Sequence, residues 1–366
     1  MKRVIHLIVF VLNIVAAVLL IASTMAGMVR PSKFIYFSLL SYGCLTLIFV
    51  NVLFALYWLV KSNVKFLLST AAIVLRVGFV PIFFQAGGCS DIEGSAREGQ
   101  NTLVMMSFNT HGFRGTEAEV DQNDMADGLA AQFLTLTDSL RPDVLNMQEF
   151  RPVTQNMNLC DSLRQRGYIY HADLHDSQQP WGVVVYSKLP IANKQNYDRG
   201  SKFYVDITKS GKELRLFPMH MGSYKLDPAD KEALEQLSQG GNMAEKARPT
   251  LGKFKHAIIA HETEWDELKP MIEQSGKPVV VAGDFNDTPA SYLYQHMKKL
   301  LRDTYMEQGK GFGTTYHGFF PAYRIDYVLH TDGIESLAYR RVRNNISDHY
   351  PVVVTLELNP EEGGRQ

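Results

Sequence analysis

The stretch "PVVVAGDFNDTPAS", Pro278 to Ser291, decides how the soluble part of this chain is read. Its apolar run, Val279 to Ala282, has the length and composition of a buried strand. The run drives into Gly283, Asp284, Asn286 and Asp287, and Thr288-Pro289 then reads as a helix start. Asp287 or Thr288 suits the cap, and Pro289 suits the first turn. Gly283 permits close backbone approach. Two carboxylates and an amide at a strand end fit either a turn or a site, and the rest of the chain must choose.

Outward from this stretch, short apolar runs recur with helical stretches between them. Strands are expected at Thr102–Asn109, Asp143–Phe150, Gly182–Ser187, Lys202–Thr208, Glu213–His220, Arg324–Thr331 and Tyr350–Leu358. Helices are expected at Asp124–Leu140, at about Glu245–Gln274 and at Pro289–Leu301. Mixed strands and helices over this length point to one α/β (α+β) domain, residues 102–359, followed by a short tail at 360–366. Gly87 to Asn101 is small and polar, and residues 88–101 read as a linker.

Residues 1–87 are a different material. The first 90 residues hold seven Lys or Arg and no Asp or Glu, so all 38 acidic residues follow, against 30 basic ones, a formal charge of −8. Three apolar runs, Val4–Thr24, Phe34–Val60 and Phe66–Phe84, each meet within tolerance the roughly 20 residues that a bilayer span requires. They read as three transmembrane helices and a multi-pass cell-membrane protein. Arg76 lies inside the third run, where an unpaired charge costs at least ~2.5 kcal/mol. Lys2, Arg3, Lys61 and Lys65 share one side, against Arg30 and Lys33 on the other. That bias puts the amino terminus inside and the large domain outside the cytoplasm. Cys44, Cys89 and Cys160 form neither a disulfide framework nor a metal-ligand spacing.

In the large domain, polar residues gather at strand ends: Asn109, Glu149, His220, Asp284 and Asn286, Asp326, and Asp348-His349. Each alone reads as a turn former, a solvated strand end or a capped turn. Their repetition suits a hard cation or a phosphate, since open α/β sheets gather ligands where strands end. Oxygen-rich ligation without cysteine favours Mg²⁺ or Mn²⁺ over a closed zinc site. No phosphate-binding loop of the G-x-x-x-x-G-K-[ST] kind and no G-x-S-x-G elbow is present. Metal-assisted phosphoester hydrolysis fits this set of groups.

"SFNTHG", "NMQEF", "AGDFND", "RIDYVL" and "ISDHYPV", in that order, resemble the successive signatures of the endonuclease/exonuclease/phosphatase superfamily, from about Thr102 to Leu358. The resemblance implies a four-layer sandwich, two packed mixed β-sheets flanked by helices. It also implies roles. Glu149 would be the principal Mg²⁺ ligand, with Asn109 near metal and phosphate and Asp348 completing the metal site. Asp284 would orient or deprotonate the attacking water, and Asn286 would bind a phosphate oxygen. His349 would contact the phosphate, oriented by Asp326. His220, in "PMHMG", matches a further site histidine. His111 stands where apurinic endonucleases place an aspartate, which weakens a DNA-repair reading. "GKGFGTTYHGFFPAYRIDY", Gly309 to Tyr327, resembles membrane-anchored bacterial members and suits either a substrate loop or aromatic packing.

Nucleic-acid binding draws on Lys and Arg at phosphates, and a domain at −8 is a poor candidate for it. Tethering beside a bilayer favours a phospholipid, a sphingolipid or another small phosphoester. An extracytoplasmic nuclease is the alternative, and an inactive domain serving as a membrane-bound binding module is a third, from a different class.

Overall fold

The computed structural model describes residues 2–95, 101–115, 122–174, 182–198, 201–224, 230, 244–318 and 323–358. Contacts divide the chain into two units. One comprises Met1–Phe83, Ser223–Trp265 and Asp287–Met297; the other comprises Phe84–Gly222, Asp266–Asn286 and Lys298–Gln366.

In the first unit, helices α1 (Lys2–Ala22), α2 (Ile35–Tyr42), α3 (Cys44–Val60), α4 (Phe66–Val74) and α5 (Val80–Phe83) carry the apolar runs. Among the described residues, only α1, extended to Gly27, is a helix long and apolar enough by itself to cross a membrane. The second run breaks by 69° between α2 and α3, and the third by 47° beyond α4. Each expected span after the first is therefore a bent pair. The breaks fall at Gly43 and around Arg76, where helix propensity is weak or a polar side chain must be satisfied. Polar groups buried where α1, α3 and α4 pack find one another, as polar groups shut away from water must. Ser69 Oγ donates to Asn51 Oδ1 at 2.9 Å, Asn51 Nδ2 donates to Ala16 O at 3.0 Å, and Asn13 Nδ2 donates to Ser69 Oγ. Arg76 is 1% exposed; it donates to Ser23 Oγ at 3.2 Å and lies 3.6 Å from the Phe79 ring centre.

The second unit contains the sheets. Its strands are β1 (Phe84–Gln85), β2 (Thr102–Asn109), β3 (Val144–Phe150), β4 (Tyr170–Asp173), β5 (Gly182–Ser187), β6 (Ile191–Tyr197) and β7 (Lys202–Lys209). They continue as β8 (Lys212–His220), β9 (Val279–Asp284), β10 (Arg302–Asp303), β11 (Gly311–Phe312), β12 (Asp326–His330), β13 (Ile334–Arg341) and β14 (Val352–Leu358). Two six-stranded mixed sheets have the orders β10-β12-β9-β8-β7-β6 and β13-β14-β2-β3-β5-β4, while β1 pairs with β11. Period-two alternation explains why β2 is apolar throughout. Leu103 and Met105 face the sandwich core with Val205, Leu216, Val280, Ala282 and Val354. Val104, Met106 and Phe108 face the other way, onto Ala126, Leu129, Ala130 and Phe133 of α6 (Gln122–Leu140). The architecture is thus two packed mixed sheets flanked by helices.

Two local readings change. Within the expected linker, Ile92 is buried in the core behind β2, and Cys89 O accepts from Tyr339 N at 2.8 Å. The helix expected from Pro289 begins instead at Tyr292 and ends at Met297, with Ser291 Oγ accepting from Tyr294 N at 3.2 Å. Ser291 is its cap, which frees Asp287 for another use. All three cysteines are free thiols.

Candidate functional site

Register builds the site. In the parallel β8–β9 ladder His220 stands opposite Asp284, and in the antiparallel β9–β12 ladder Asp326 stands opposite Asp284. Three strand ends of one sheet thus present His220, Asp284 and Asp326 side by side. From the other sheet, the parallel β2–β3 pair brings Asn109 beside Gln148, one residue before Glu149.

At Glu149 the β3–β5 pairing slips, and Glu149 takes φ +49°. A bulge of this kind re-aims a side chain. Thr110 Oγ1 fixes the turned backbone by donating to Glu149 O at 2.8 Å. Gly283, at φ +145°, lets β9 run against β8; a Cβ there would sit 1.9 Å from Met219 O.

The side chains converge across the two sheets. Asn109 Nδ2 donates to Asp284 Oδ2 at 2.9 Å and to Glu149 Oε1 at 3.1 Å, while its Oδ1 accepts from His111 N at 3.0 Å. His220 Nε2 lies 3.5 Å from Glu149 Oε1 and 4.0 Å from Asp284 Oδ2. His349 Nδ1 bonds Asp326 Oδ2 at 3.0 Å, and its Nε2 lies 3.8 Å from Asp284 Oδ2 and 4.0 Å from Asp348 Oδ1. Asn286 takes φ +50°; its N donates to Asp284 Oδ1 at 2.8 Å and its Nδ2 to Met221 O at 3.0 Å. Ser347 Oγ donates to Asn109 O at 2.8 Å and accepts from His349 N at 3.1 Å, tying the Asp348-His349 turn to β2. Asn109, Glu149, His220, Asp284, Asn286, Asp326, Asp348 and His349 are thus brought into one constellation.

Electrostatics sharpen it. Burial by itself pushes the His349 imidazole down, but the Asp326 and Asp284 carboxylates overcome it and hold the group at about 10. Burial raises Asp284 above the usual carboxylate range, with Asp326 adding to the rise and His349, His220 and Asn109 opposing it. The result is an imidazolium locked between two acids.

Two neighbours were missed or left open by the sequence. The Tyr316 ring lies 4.9 Å from the His349 ring, so part of the Gly309–Tyr327 segment borders the site. Phe312, by contrast, is 61% exposed and packs on Phe84, while Phe319 and Phe320 lie outside the described residues. His111 Nδ1 lies 3.3 Å from Asp348 Oδ1, an approach that its spacing from Asn109 alone did not announce.

A model of the Endonuclease/Exonuclease/phosphatase family matches residues 106–349, two thirds of the chain. The chain belongs to that family. A second model, a domain of unknown function (DUF8431), matches residues 6–83. No curated protein matches. Among solved structures, an endonuclease/exonuclease/phosphatase from Bacteroides vulgatus is 16% identical, covering 71% of this chain and 100% of its own at a TM-score of 0.50. The human Nocturnin catalytic domain with bound sulfate anion is 15% identical over 71% of this chain and 94% of its own, at 0.48. Humanized D. rerio TDP2 is 15% identical over 70% of this chain and 100% of its own, at 0.47. At such identities the first of these speaks to the fold alone.

The family's members hydrolyse phosphoesters with divalent metals, and the donor chemistry here suits one. Among the described residues, Asp284, Asp326 and His349 offer ligand atoms within 4.8 Å of one another. The Asp326–His349 hydrogen bond already occupies Nδ1 of that imidazole. Glu149 and Asp348 bring further carboxylates to the same family site, an oxygen-rich set of the kind that hard cations select.

Proposed function

We propose that this protein is a membrane-anchored, Mg²⁺-dependent phosphoester hydrolase whose substrate is a phospholipid, a sphingolipid or another small phosphoester. The observation that carries the hydrolytic reading is the Asp326–His349–Asp284 arrangement, closed from the other sheet by Asn109 and Glu149. Glu149 and Asp348 would hold the cation, with Asn109 close to metal and phosphate. When bound, the metal supplies Lewis-acid polarisation of the phosphoryl oxygen and stabilisation of the leaving oxygen.

The chain's own groups do the rest. Asp284 is held by Asn109 and by the Asn286 backbone N–H, so one carboxylate stays oriented to position and deprotonate an attacking water. His349, fixed through Nδ1 by Asp326, directs its protonated Nε2 at a phosphate oxygen, where charge accumulates in the transition state. Asn286 and His220 complete the ring of donors around that oxygen.

The substrate order rests on charge and tethering. The part of the chain after residue 90 carries −8, against the electrostatics of non-specific nucleic-acid binding. Helix α1 supports an anchor, and the bent α2–α3 and α4–α5 pairs support two more spans. Lys65 lies over Phe10 and Trp58, at the Lys2 end of α1, in keeping with an inside amino terminus and an extracytoplasmic catalytic domain.

One panel tests this: purified full-length protein in Mg²⁺ or in EDTA, offered sphingomyelin and glycerophospholipid vesicles, inositol phosphates, plasmid DNA and RNA. The expected result is Mg²⁺-dependent release from a lipid or small phosphoester, lost in Asp284→Ala. Rapid DNA cleavage with inert lipids reverses the substrate order. Release from none, or release unchanged in Asp284→Ala, removes the enzymatic reading and leaves a binding module.

A further inference from the structure

Asp287 is the residue after Asn286, and the first unit holds it in a buried polar-aromatic cluster. Its carboxylate is 2% exposed. Tyr42 OH, on the last residue of α2, donates to Asp287 Oδ1 at 2.7 Å, and Thr288 N donates to the same oxygen at 2.9 Å. His261 Nδ1, on the long helix Ala244–Glu273 and wholly buried, lies 3.4 Å from Asp287 Oδ2. The Tyr42 and Tyr224 hydroxyls meet, and the Tyr224 ring stacks on Phe254 at 4.5 Å. A second anchor lies nearby on the same long helix. Glu262 accepts from Ser32 N at 2.8 Å, from Ser32 Oγ at 2.9 Å and from Arg30 Nη1 at 3.1 Å.

Asn286 is the reason this cluster matters. A non-glycine residue at φ +50° occupies a sparsely populated conformation that persists only where its surroundings over-determine it. On its amino side the determinants are Asp284 Oδ1 and Met221 O. On its carboxyl side the determinant is the next side chain, Asp287, a buried carboxylate whose Oδ1 accepts from Tyr42 OH and Thr288 N, with His261 Nδ1 3.4 Å from Oδ2. A buried charged acceptor deprived of a donor seeks water and drags its backbone with it.

We propose that Tyr42 is a positioning residue of the phosphoester site: its hydroxyl fixes the Asp287 carboxylate and so holds Asn286 in its left-handed conformation. The proposal rests on the hydrolytic reading given above. It makes the second apolar run part of the working enzyme as well as part of the anchor. Tyr42 touches no reacting atom; it acts only through Asp287 and the peptide that follows Asn286.

The test uses the full-length chain in nanodiscs with Mg²⁺, comparing wild type, Tyr42→Phe, Asn286→Ala and the double variant. The substrate is bis(4-nitrophenyl) phosphate together with any lipid found active in the panel. Tyr36→Phe, on the same helix but 65% exposed, is the control and keeps the wild-type kcat. Misplacement of a site group by a fraction of an ångström predicts a kcat about tenfold lower in Tyr42→Phe, with KM within about twofold and the pH profile unmoved. In the Asn286→Ala background the same change adds nothing, because both act on one element. Amide exchange across residues 284–291, read by mass spectrometry, rises at least about tenfold in Tyr42→Phe and is unchanged in β2. A lowered Tm with kcat intact, or an effect fully additive with Asn286→Ala, overturns the proposal. If the wild type hydrolyses nothing, the hydrolytic reading fails by itself. The exchange measurement then decides alone, and unaltered exchange at 284–291 ends the positioning claim too.

Discussion

Replacing Gly283 by alanine tests the geometry on which the site stands. Gly283 has φ +145°, a region that L side chains rarely adopt, and its added Cβ would lie 1.9 Å from Met219 O and 2.8 Å from Met219 C. Both contacts are to backbone, so no side-chain rotation relieves them. Met219 and Gly283 are register partners in the β8–β9 ladder, and relief requires the two strands to part. The backbone conformation alone costs about 1–3 kcal/mol, and the contact brings the loss to at least ~3 kcal/mol. For a domain of this size that is a fall in Tm of roughly 6–12 °C. Hydrolysis should fall further than the folded fraction does, because the next pair in the ladder is His220 and Asp284. The assay is thermal unfolding of detergent-solubilised protein by circular dichroism, beside Gly128→Ala. Gly128 lies within α6 with nothing within 4 Å of an added Cβ, so alanine there should stabilise by about 0.5–1 kcal/mol. A Gly283→Ala protein that melts with the wild type would refute the close-approach argument.

Three further outcomes follow from the same contacts. Glu149→Gln should raise the Mg²⁺ concentration for half-maximal hydrolysis at least about tenfold while leaving Tm nearly unchanged, measured by titration after EDTA stripping. His349 is held at about 10, above its unfolded value of roughly 6.5, so its stabilisation is complete below the lower value and disappears as pH rises through the higher one. The Tm gap between wild type and His349→Asn in EDTA should therefore be widest in mild acid and close near pH 10; a gap that grows with pH sinks that account. Asn51→Ala removes the bridge from α3 to Ala16 O and Ser69, and should destabilise the first unit by about 1–2 kcal/mol, read by unfolding in detergent.

Strands with apolar runs were legible almost to the residue. Thr102–Asn109 and Gly182–Ser187 coincide with β2 and β5, since a strand enclosed by two layers must be apolar on both faces. The missed strands carry little of that signal. β6, "IANKQNY", is an edge strand with a mostly exposed run of polar residues, and only its pairing with β7 defines it. β13 alternates, but buries Ser336 and Ala338 where a pattern search expects large apolar side chains. The site residues were legible because each sits at a strand terminus, whereas their order across the sheet was not. That order depends on register: Asp326 opposite Asp284 opposite His220 is a property of three strands together.

Asp287 shows where local reading fails and why. By local rules a residue of the Asp-Thr-Pro run caps the following helix, and Asp287 is an excellent cap residue. The structure gives that duty to Ser291, and Asp287 accepts from a tyrosine 245 positions away in sequence. The charge asymmetry of the chain anticipates such a contact. An amino-terminal segment of 90 residues with seven cations and no carboxylate must take any carboxylate acceptor from outside itself. Within the first unit, among the described residues, Asp287 serves Tyr42, and Glu262 serves Arg30 and Ser32. Both acceptors lie in the carboxylate-rich part of the sequence, and one of them follows directly on a residue of the site. The acid-free segment is thus a set of donors matched to particular acids, and its link to the chemistry runs through one peptide bond.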